Sequence, residues 1–280
     1  MGRTENAEVF RDTEKLYKTN IILKESVANS INFQKLILEG EKLPDTEKKV
    51  YAEPAKLVVS KKKSFDAAQG YKGQKVCVHN FASASNPGGG VVNGASAQEE
   101  CLCRCSTLYP CLATDEMWKG FYEPHRRAHD PIHNDDIIYT PDVTVFKTDT
   151  ANPVLMDEKD WYQVDVVTCA APNLRAKPSN SYNSGDGTTA VKVSDKELQA
   201  IHEKRLRRIL DVALMNGDEV VILGAFGCGA FMNDPYVVAK ASKNVIAEYR
   251  NAFKVIEFAV YCSPRDDKNF RVFEATMKER

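Results

Sequence analysis

The sequence is short of long apolar runs and of any excess of one charge. Its 280 residues hold 38 Lys and Arg against 39 Asp and Glu, which gives a formal net charge of −1. A near-neutral chain creates no global field that would gather a polyanion. No apolar run reaches the roughly 20 residues that a membrane-spanning helix needs, and the polar N-terminus lacks the apolar core of a secretory signal. We therefore expect a cytoplasmic protein that neither enters membranes nor binds nucleic acid in general.

The near-neutral charge also bears on any anionic ligand. Such a ligand would have to be met locally, by backbone N–H groups and helix ends. The basic cluster Lys61, Lys62 and Lys63 is more typical of a solvated loop than of a nucleic-acid patch.

The eight cysteines lack a CxxC pair, the commonest element of a structural zinc site. Four of them lie close together, at positions 101, 103, 105 and 111. If that segment is helical, Cys101 and Cys105 share a face and Cys103 points away. We therefore expect no metal site here, and free thiols in a reducing compartment.

Three histidines are spaced four residues apart, at 125, 129 and 133. This spacing could place them on one helical face, but Pro124 and Pro131 interrupt the segment. We expect an exposed loop rather than a zinc site.

Strand and helix signals alternate along most of the chain. The candidate strands are 56–60, 75–81, 136–140, 142–146, 164–170, 219–225 and 255–262. The segments VDVVTCA and VVIL are nearly continuous apolar runs, as expected of strands buried on both faces. The pattern predicts an α/β fold. Residues 4–40 have helical periodicity, so we expect 1–50 to be an accessory helical segment and 51–280 the core of one compact domain.

Two helices have clear boundaries. Ser194 and Glu197 have the spacing of a capping box, and Gly217 lies where a glycine would end that helix. Asp234 can cap the second helix, with Pro235 in its first turn.

A run of three glycines, Gly88, Gly89 and Gly90, precedes Gln98, Glu99 and Glu100 by seven residues. Glycines allow backbone to approach a ligand closely and to adopt positive φ without strain. The arrangement is compatible with a plain strand-to-helix turn bearing surface glutamates. Because an apolar strand precedes the loop and a helix follows it, a ligand site with carboxylate chemistry is the alternative.

A second glycine loop, VVILGAFGCGAF, follows a buried strand and precedes a helix. Its spacing differs from that of a dinucleotide fingerprint, and it lacks the lysine of a P-loop. Small residues at this place bring backbone N–H groups to a phosphate. Taken alone, this loop could equally be a tight turn that binds no ligand. Because the first glycine loop also follows a strand, the two loops together favour one ligand site shared between them.

Three glycines, seven residues and QEE resemble the signature of the poly(ADP-ribose) glycohydrolases, in particular the microbial-type branch. Other stretches fit in the same order: NFASASNPGGG, YTPDVTVF, VDVVTCAAPN, LGAFGCGAFMNDP and FKVIEFAV. The resemblance extends from about Glu8 to Cys262. It implies a macrodomain-like three-layer α/β/α sandwich with a mixed sheet, to which the N-terminal helices are an extension.

The resemblance also implies roles for the site residues. Glu100 would be the general acid/base and Glu99 would hold a ribose hydroxyl, while Asn86 would bind the distal ribose. Gln98 would orient the loop or the adenosine. The second loop would hold the diphosphate, and Phe231 would pack on the terminal ribose. The implied substrate-binding residues are Asn86, Gly88, Gly89, Gly90, Gln98, Gly224, Ala225, Gly227, Cys228, Gly229, Ala230 and Phe231.

The implied activity is hydrolysis of the ribose–ribose O-glycosidic bond of poly(ADP-ribose), with ADP-ribose released and no cofactor or metal. The partner would be an ADP-ribose polymer or an ADP-ribosylated macromolecule. Cleavage of another ADP-ribosyl linkage and non-catalytic binding of ADP-ribose are the alternatives, and a cysteine-rich zinc regulator is a third. Preference for polymer or single unit, the oligomeric state and the residues that stack on adenine stay open.

Overall fold

The computed structural model describes residues 1–180, 184–263 and 266–278. Its centre is a seven-stranded mixed sheet in the order β1-β4-β5-β3-β6-β7-β2. The strands are β1 Lys35–Ile37, β2 Lys56–Ser60, β3 Val76–Ala82, β4 Ile137–Val145, β5 Tyr162–Ala170, β6 Val220–Leu223 and β7 Val255–Ala259. Five neighbouring strands, from β5 to β2, run parallel. Their carboxyl ends therefore meet at one edge of the sheet.

One predicted pair of strands is a single strand. The segments expected at 136–140 and 142–146 form β4, which pairs with β5 on both sides of a register shift between Thr140 and Val143. Asp142 has a φ of 53° there, and its backbone N–H donates to Asp165 Oδ1 at 2.9 Å. A bulge adds a residue to a strand without ending it. The break in the strand pattern near residue 141 was therefore not a boundary between two strands.

Helices cover both faces of the sheet. They are α1 Arg3–Thr19, α2 Ile21–Phe33, α3 Ser64–Gln69, α4 Gln98–Cys105, α5 Leu108–Leu112, α6 Asp115–Met117, α7 Glu123–Ala128, α8 Asp195–Met215, α9 Pro235–Glu248 and α10 Lys268–Lys278. A π-helical turn, Trp118–Tyr122, joins α6 to α7, and 3₁₀ turns span Val91–Asn93 and Glu158–Asp160. One apolar core cluster joins the sheet to α8, α9 and α10, and a second joins it to α1, α3, α4 and α5. The three-layer α/β/α sandwich is confirmed.

The predicted helix boundaries are confirmed for α8 and α9. Ser194 and Glu197 form the capping box of α8, and Gly217 follows its last residues with a φ of 78°. Asp234 accepts from two backbone N–H groups of α9, whose first residue is Pro235. These ends are set by local hydrogen bonds, which explains why sequence alone located them.

The N-terminal segment is not helical throughout, although the periodicity of 4–40 predicts helix. Lys35–Ile37 is a short strand that pairs antiparallel with β4 at the edge of the sheet. A three-residue strand is formed by its partner rather than by its own sequence pattern. The division at residue 50 stays a prediction.

The histidine segment was predicted wrongly. His125 lies inside α7, where Pro124 occupies the first turn, a position that tolerates proline. His125 and His133 are buried, and only His129 is exposed. The ring nitrogens of His125 are hydrogen bonded to Phe121 O at 2.7 Å and to Asn134 Oδ1 at 2.8 Å.

Within the described ranges, no helix combines the length and the apolar character needed to cross a membrane. No group of three or more His, Cys, Asp or Glu side chains in the described part of the chain is arranged to hold a metal ion.

Candidate active site

The carboxyl ends of the parallel strands open into a cleft of about 1010 Å³. Gly89 and Gly90 of the first glycine loop line it, as do residues 225–227 and 229–231 of the second loop. Gln98, Glu99 and Glu100 at the start of α4 lie on its wall. The crevice at the carboxyl edge of an open α/β sheet is where such folds bind ligands. The structure therefore brings the two predicted loops and the glutamates into one site.

Gly89 lies next to both glutamates of α4. It has a φ of 58°. A Cβ atom built on Gly89 would lie 2.5 Å from Glu100 Oε1 and 3.1 Å from Glu99 Oε2. Any side chain here would therefore displace both carboxylates, in addition to the strain of positive φ.

Glu100 is fixed through one oxygen only. Its side chain lies at the cleft and the residue is 7% exposed. Oε1 accepts from the backbone N–H of Gly90 at 2.9 Å. Oε2 is buried and accepts no hydrogen bond from any described residue. One oxygen thus orients the carboxylate, and the other has no partner within the described part of the chain.

Glu99 is held from several sides. Oε2 accepts from the backbone N–H of Ser83 at 2.8 Å, and Oε1 accepts from Asn80 Nδ2 at 3.3 Å. Burial raises the pKa of the Glu99 carboxyl well above its usual range, and the negative charge of Glu100 adds to this, against hydrogen bonds from Ser83, Asn80 and Gly88. The two neighbouring glutamates therefore differ in surroundings, which suits a division of roles.

Gln98 joins α4 to β3. Its Oε1 accepts from the backbone N–H of Phe81 at 2.9 Å, and Nε2 donates to His79 O at 2.8 Å and to Ser64 Oγ at 3.0 Å. These contacts fix the first residue of the helix that carries both glutamates.

Asn86 and Gly88 are not among the residues that line the cleft. Asn86 Oδ1 accepts from Arg126 Nη1 at 2.9 Å, and its Nδ2 donates to Ser184 O at 3.0 Å. A Cβ on Gly88 would lie 2.7 Å from a ring carbon of Tyr109. Both residues shape the loop that presents Gly89 and Gly90.

The second loop turns sharply at Gly227, which has a φ of 76°. A Cβ there would lie 2.7 Å from Ala171 Cβ and 2.8 Å from Asn233 Nδ2. The backbone N–H groups of Gly227, Gly229, Ala230 and Phe231 donate to no described residue. Unpaired N–H groups on a turn before a helix are suited to an anion.

Asn233 holds this loop in shape. Its Nδ2 donates to Pro172 O at 2.7 Å and to Gly227 O and Phe231 O at 3.2 Å each. Its Oδ1 is hydrogen bonded to His202 Nε2 at 2.8 Å. The free N–H groups therefore belong to a rigid turn.

Two predicted residues of the second loop do not line the cleft. Gly224 packs below it, where a Cβ would lie 2.8 Å from Ala259 O and from a ring carbon of Phe81. Cys228 points away, with its thiol against Phe226 O, and burial raises the pKa of that thiol.

Sequence reasoning missed several cleft residues. Lys63 is not part of a solvated loop: its side chain is 17% exposed, and Nζ lies 3.3 Å from Asp149 Oδ1. Tyr261, which is 56% exposed, and Arg175 also line the cleft. Each of these residues lies within a few residues of the end of a parallel strand. A position just after a predicted strand was therefore the sequence feature that could have identified them as cleft residues.

The chain is similar to known proteins in both sequence and structure. A sequence model of the microbial-type PARG catalytic domain matches residues 7–148, just over half of the chain. No curated protein matched the chain.

Several solved structures are similar along nearly the whole chain. Poly(ADP-ribose) glycohydrolase (PARG) from Thermomonospora curvata has a TM-score of 0.81 and 28% identity, covering 98% of this chain and 100% of that one. Its structure with the inhibitor ADP-HPD has a TM-score of 0.79 and 28% identity, covering 98% and 99%. The enzyme from Deinococcus radiodurans in complex with ADP-ribose has a TM-score of 0.73 and 28% identity, covering 90% and 96%. The chain therefore belongs to the microbial-type poly(ADP-ribose) glycohydrolase family.

Proposed function

We propose that this chain hydrolyses the ribose–ribose O-glycosidic bond of poly(ADP-ribose) and releases ADP-ribose, with Glu100 as general acid/base. The observation that carries the proposal is the state of the Glu100 carboxylate. One oxygen is fixed by the Gly90 N–H, and the other is buried without a partner among the described residues. The same cleft contains the free N–H groups of the second loop.

The order of the strands supports one direction for the substrate. Tyr261 follows β7 and offers an exposed aromatic face for the adenine. The loop after β6, next to β7, would bind the diphosphate through its free N–H groups. Phe231 ends that loop and would pack on the terminal ribose. The loop after β3, next to β6, presents Gly89 and Glu100.

Glu100 would act in two steps. The protonated carboxyl gives its proton to the leaving 2′-oxygen as the bond from that oxygen to C1″ breaks. The resulting carboxylate then takes a proton from water, whose oxygen bonds to C1″, and the acid is regenerated. The transition state would resemble an oxocarbenium ion. A positioned general acid of this kind contributes about 10²- to 10⁴-fold to the rate.

Glu99 would hold a ribose hydroxyl. Burial raises the pKa of its carboxyl, and the negative charge of Glu100 adds to this. The reaction as proposed needs acid/base groups and water, with no cofactor.

We further propose a cytoplasmic location and no general binding of nucleic acid. All eight cysteines are free thiols, which suits a reducing compartment. The net charge of −1 gives no field that would gather nucleic acid. Substrate recognition would depend on the cleft itself.

The experiment compares wild type with Glu100→Gln on radiolabelled poly(ADP-ribose). Wild type should release free ADP-ribose, and the variant should be slower by at least about 100-fold while it still binds ADP-ribose in calorimetry. Glu53→Gln, at an exposed position, is the matched control and should behave as wild type. A fully active Glu100→Gln enzyme would refute the role of Glu100. Release from mono-ADP-ribosylated protein with the polymer left intact would favour the other linkage.

A further inference from the structure

Arg175 lies a few residues beyond β5 and lines the cleft. Its guanidinium carbon is 5.6 Å from the centre of the Phe231 ring. Nε donates to Asn173 Oδ1 at 2.9 Å, and Nη2 donates to Pro178 O. Two oxygens of one short loop therefore hold the guanidinium against the aromatic ring at the end of the second glycine loop.

The charge of Arg175 is not neutralised by an ion pair. No acidic side chain within the described ranges forms one with it. Burial lowers the pKa of the guanidinium, and the charge of Asp186 opposes that shift. Asp186 is itself engaged, since it accepts from Ser85 Oγ and from Asn173 Nδ2 at 2.7 Å each. A half-buried cation in this state is stabilised when an anion reaches it.

The strand order relates Arg175 to the proposed direction of the substrate. The proposed substrate direction runs from β7, through the loop after β6, to the loop after β3. The next strand in the sheet is β5, and Arg175 follows it. A polymer that continues past the scissile bond in the same direction therefore reaches the loop that carries Arg175. The cleft volume of about 1010 Å³ is at the upper end for sites that bind a single small ligand.

We propose that Arg175, supported by Phe231, is a subsite for the second ADP-ribose unit and binds its diphosphate. This inference rests on the proposed function. The leaving group in that reaction is an adenosine whose 5′ carbon carries a diphosphate, the first charged group beyond the scissile bond. The planar guanidinium fork matches phosphate oxygens. A single ADP-ribose unit attached to protein has no phosphate at this place, so Arg175 selects polymer over single units.

Binding tests the subsite without turnover. In the Glu100→Gln background, the Kd of a di(ADP-ribose) is compared with that of ADP-ribose by calorimetry. The dimer should bind about tenfold more tightly than the monomer, and adding Arg175→Gln should remove most of this difference. Adding Arg175→Lys should retain part of it, because the charge is kept and the fork is lost. Arg250→Gln removes an exposed charge near the amino end of β7 and should leave the ratio as it is.

Turnover gives an independent readout. The ratio of kcat/KM for the polymer to kcat/KM for an aryl ADP-riboside, which lacks the second diphosphate, should fall about tenfold in Arg175→Gln. An unchanged ratio overturns the subsite. The subsite is also overturned if kcat/KM falls equally for both substrates and ADP-ribose binds more weakly, since Arg175 would then act on the terminal unit. A wild-type enzyme that cleaves neither substrate refutes the proposed function, while the two Kd values still decide whether the subsite exists.

Discussion

A Cβ atom on Gly89 would lie 2.5 Å from Glu100 Oε1, well inside van der Waals contact. The missing side chain of one residue thus sets the position of the proposed acid on another element. The spacing between the glycines and QEE in the sequence therefore has a structural explanation: the loop has no side chains at the place where the carboxylates of α4 lie against it.

Gly89→Ala should therefore lower activity by about 100-fold, because a displacement of about 1 Å in a catalytic group has an effect of that size. Positive φ adds a stability cost of about 1–2 kcal/mol. Gly217→Ala is the control, since Gly217 has a φ of 78° and no atom within 4 Å of the added Cβ. It should lose similar stability and keep its kcat. Equal kcat losses in the two variants would show that backbone strain, not the contact with Glu100, is responsible.

Tyr261→Ala should weaken ADP-ribose binding by about tenfold, since stacking of a base on an aromatic side chain contributes about 1–3 kcal/mol. Tyr261→Phe should bind as wild type does. Tyr236 is similarly exposed, at 61%, but lies outside the cleft, so Tyr236→Ala is the matched control. Calorimetric Kd values decide the matter, and unaltered binding by Tyr261→Ala would place the adenine elsewhere.

Arg205→Met should destabilise the fold by about 3–5 kcal/mol. Arg205 is 2% exposed. It donates to Asp135 Oδ1 at 2.8 Å and to Ala170 O at 2.9 Å, and so joins α8 to the end of β5 below the cleft. Its loss removes a buried partner of Asp135 and leaves that carboxylate with the ion pair to Lys204, whose side chain is exposed. Arg207→Met, on the same helix but with a side chain 38% exposed, should cost about 1 kcal/mol or less. Urea unfolding of both variants tests this difference, which similar midpoints would contradict.

Asp218→Asn should make stability less dependent on pH. Burial, followed by the charge of Asp165, raises the pKa of Asp218 well above its usual range. Between the unfolded pKa near 4 and the raised folded pKa, the native state binds more protons than the unfolded state. The free energy of unfolding therefore falls as pH rises through this window.

Urea midpoints at pH 5, 7 and 9 measure the effect of Asp218→Asn. The variant should be more stable than wild type at pH 9, by about 1.4 kcal/mol for each unit of pKa shift that is removed. Part of the pH dependence should persist, because burial also raises the pKa of Glu99 and Asp149. Asp45→Asn, at an exposed position, should change nothing. Parallel pH curves for wild type and Asp218→Asn would be the contrary result.

Local features were predicted well because their causes are local. The caps at Ser194 and Asp234 depend on hydrogen bonds across three residues. The buried strands VVIL and VDVVTCA were visible as apolar runs, and the glycine loops as gaps in side-chain pattern. Features that depend on a distant partner were missed or misjudged. Lys63 was expected in solvent, but it forms an ion pair with Asp149, which is 86 residues away in the sequence.

By itself, the sequence determined the α/β class, the capped ends of α8 and α9, the two glycine loops and the carboxylates that follow the first of them, since propensity, capping and burial pattern act over a few residues. The tertiary structure alone decided that both loops meet in one cleft, that Gly89 lies against Glu100, and that the Arg175 guanidinium lies over the Phe231 ring. Those relations are set by strand order and parallel pairing. Nothing in a residue's neighbours along the chain specifies which strand it will lie beside.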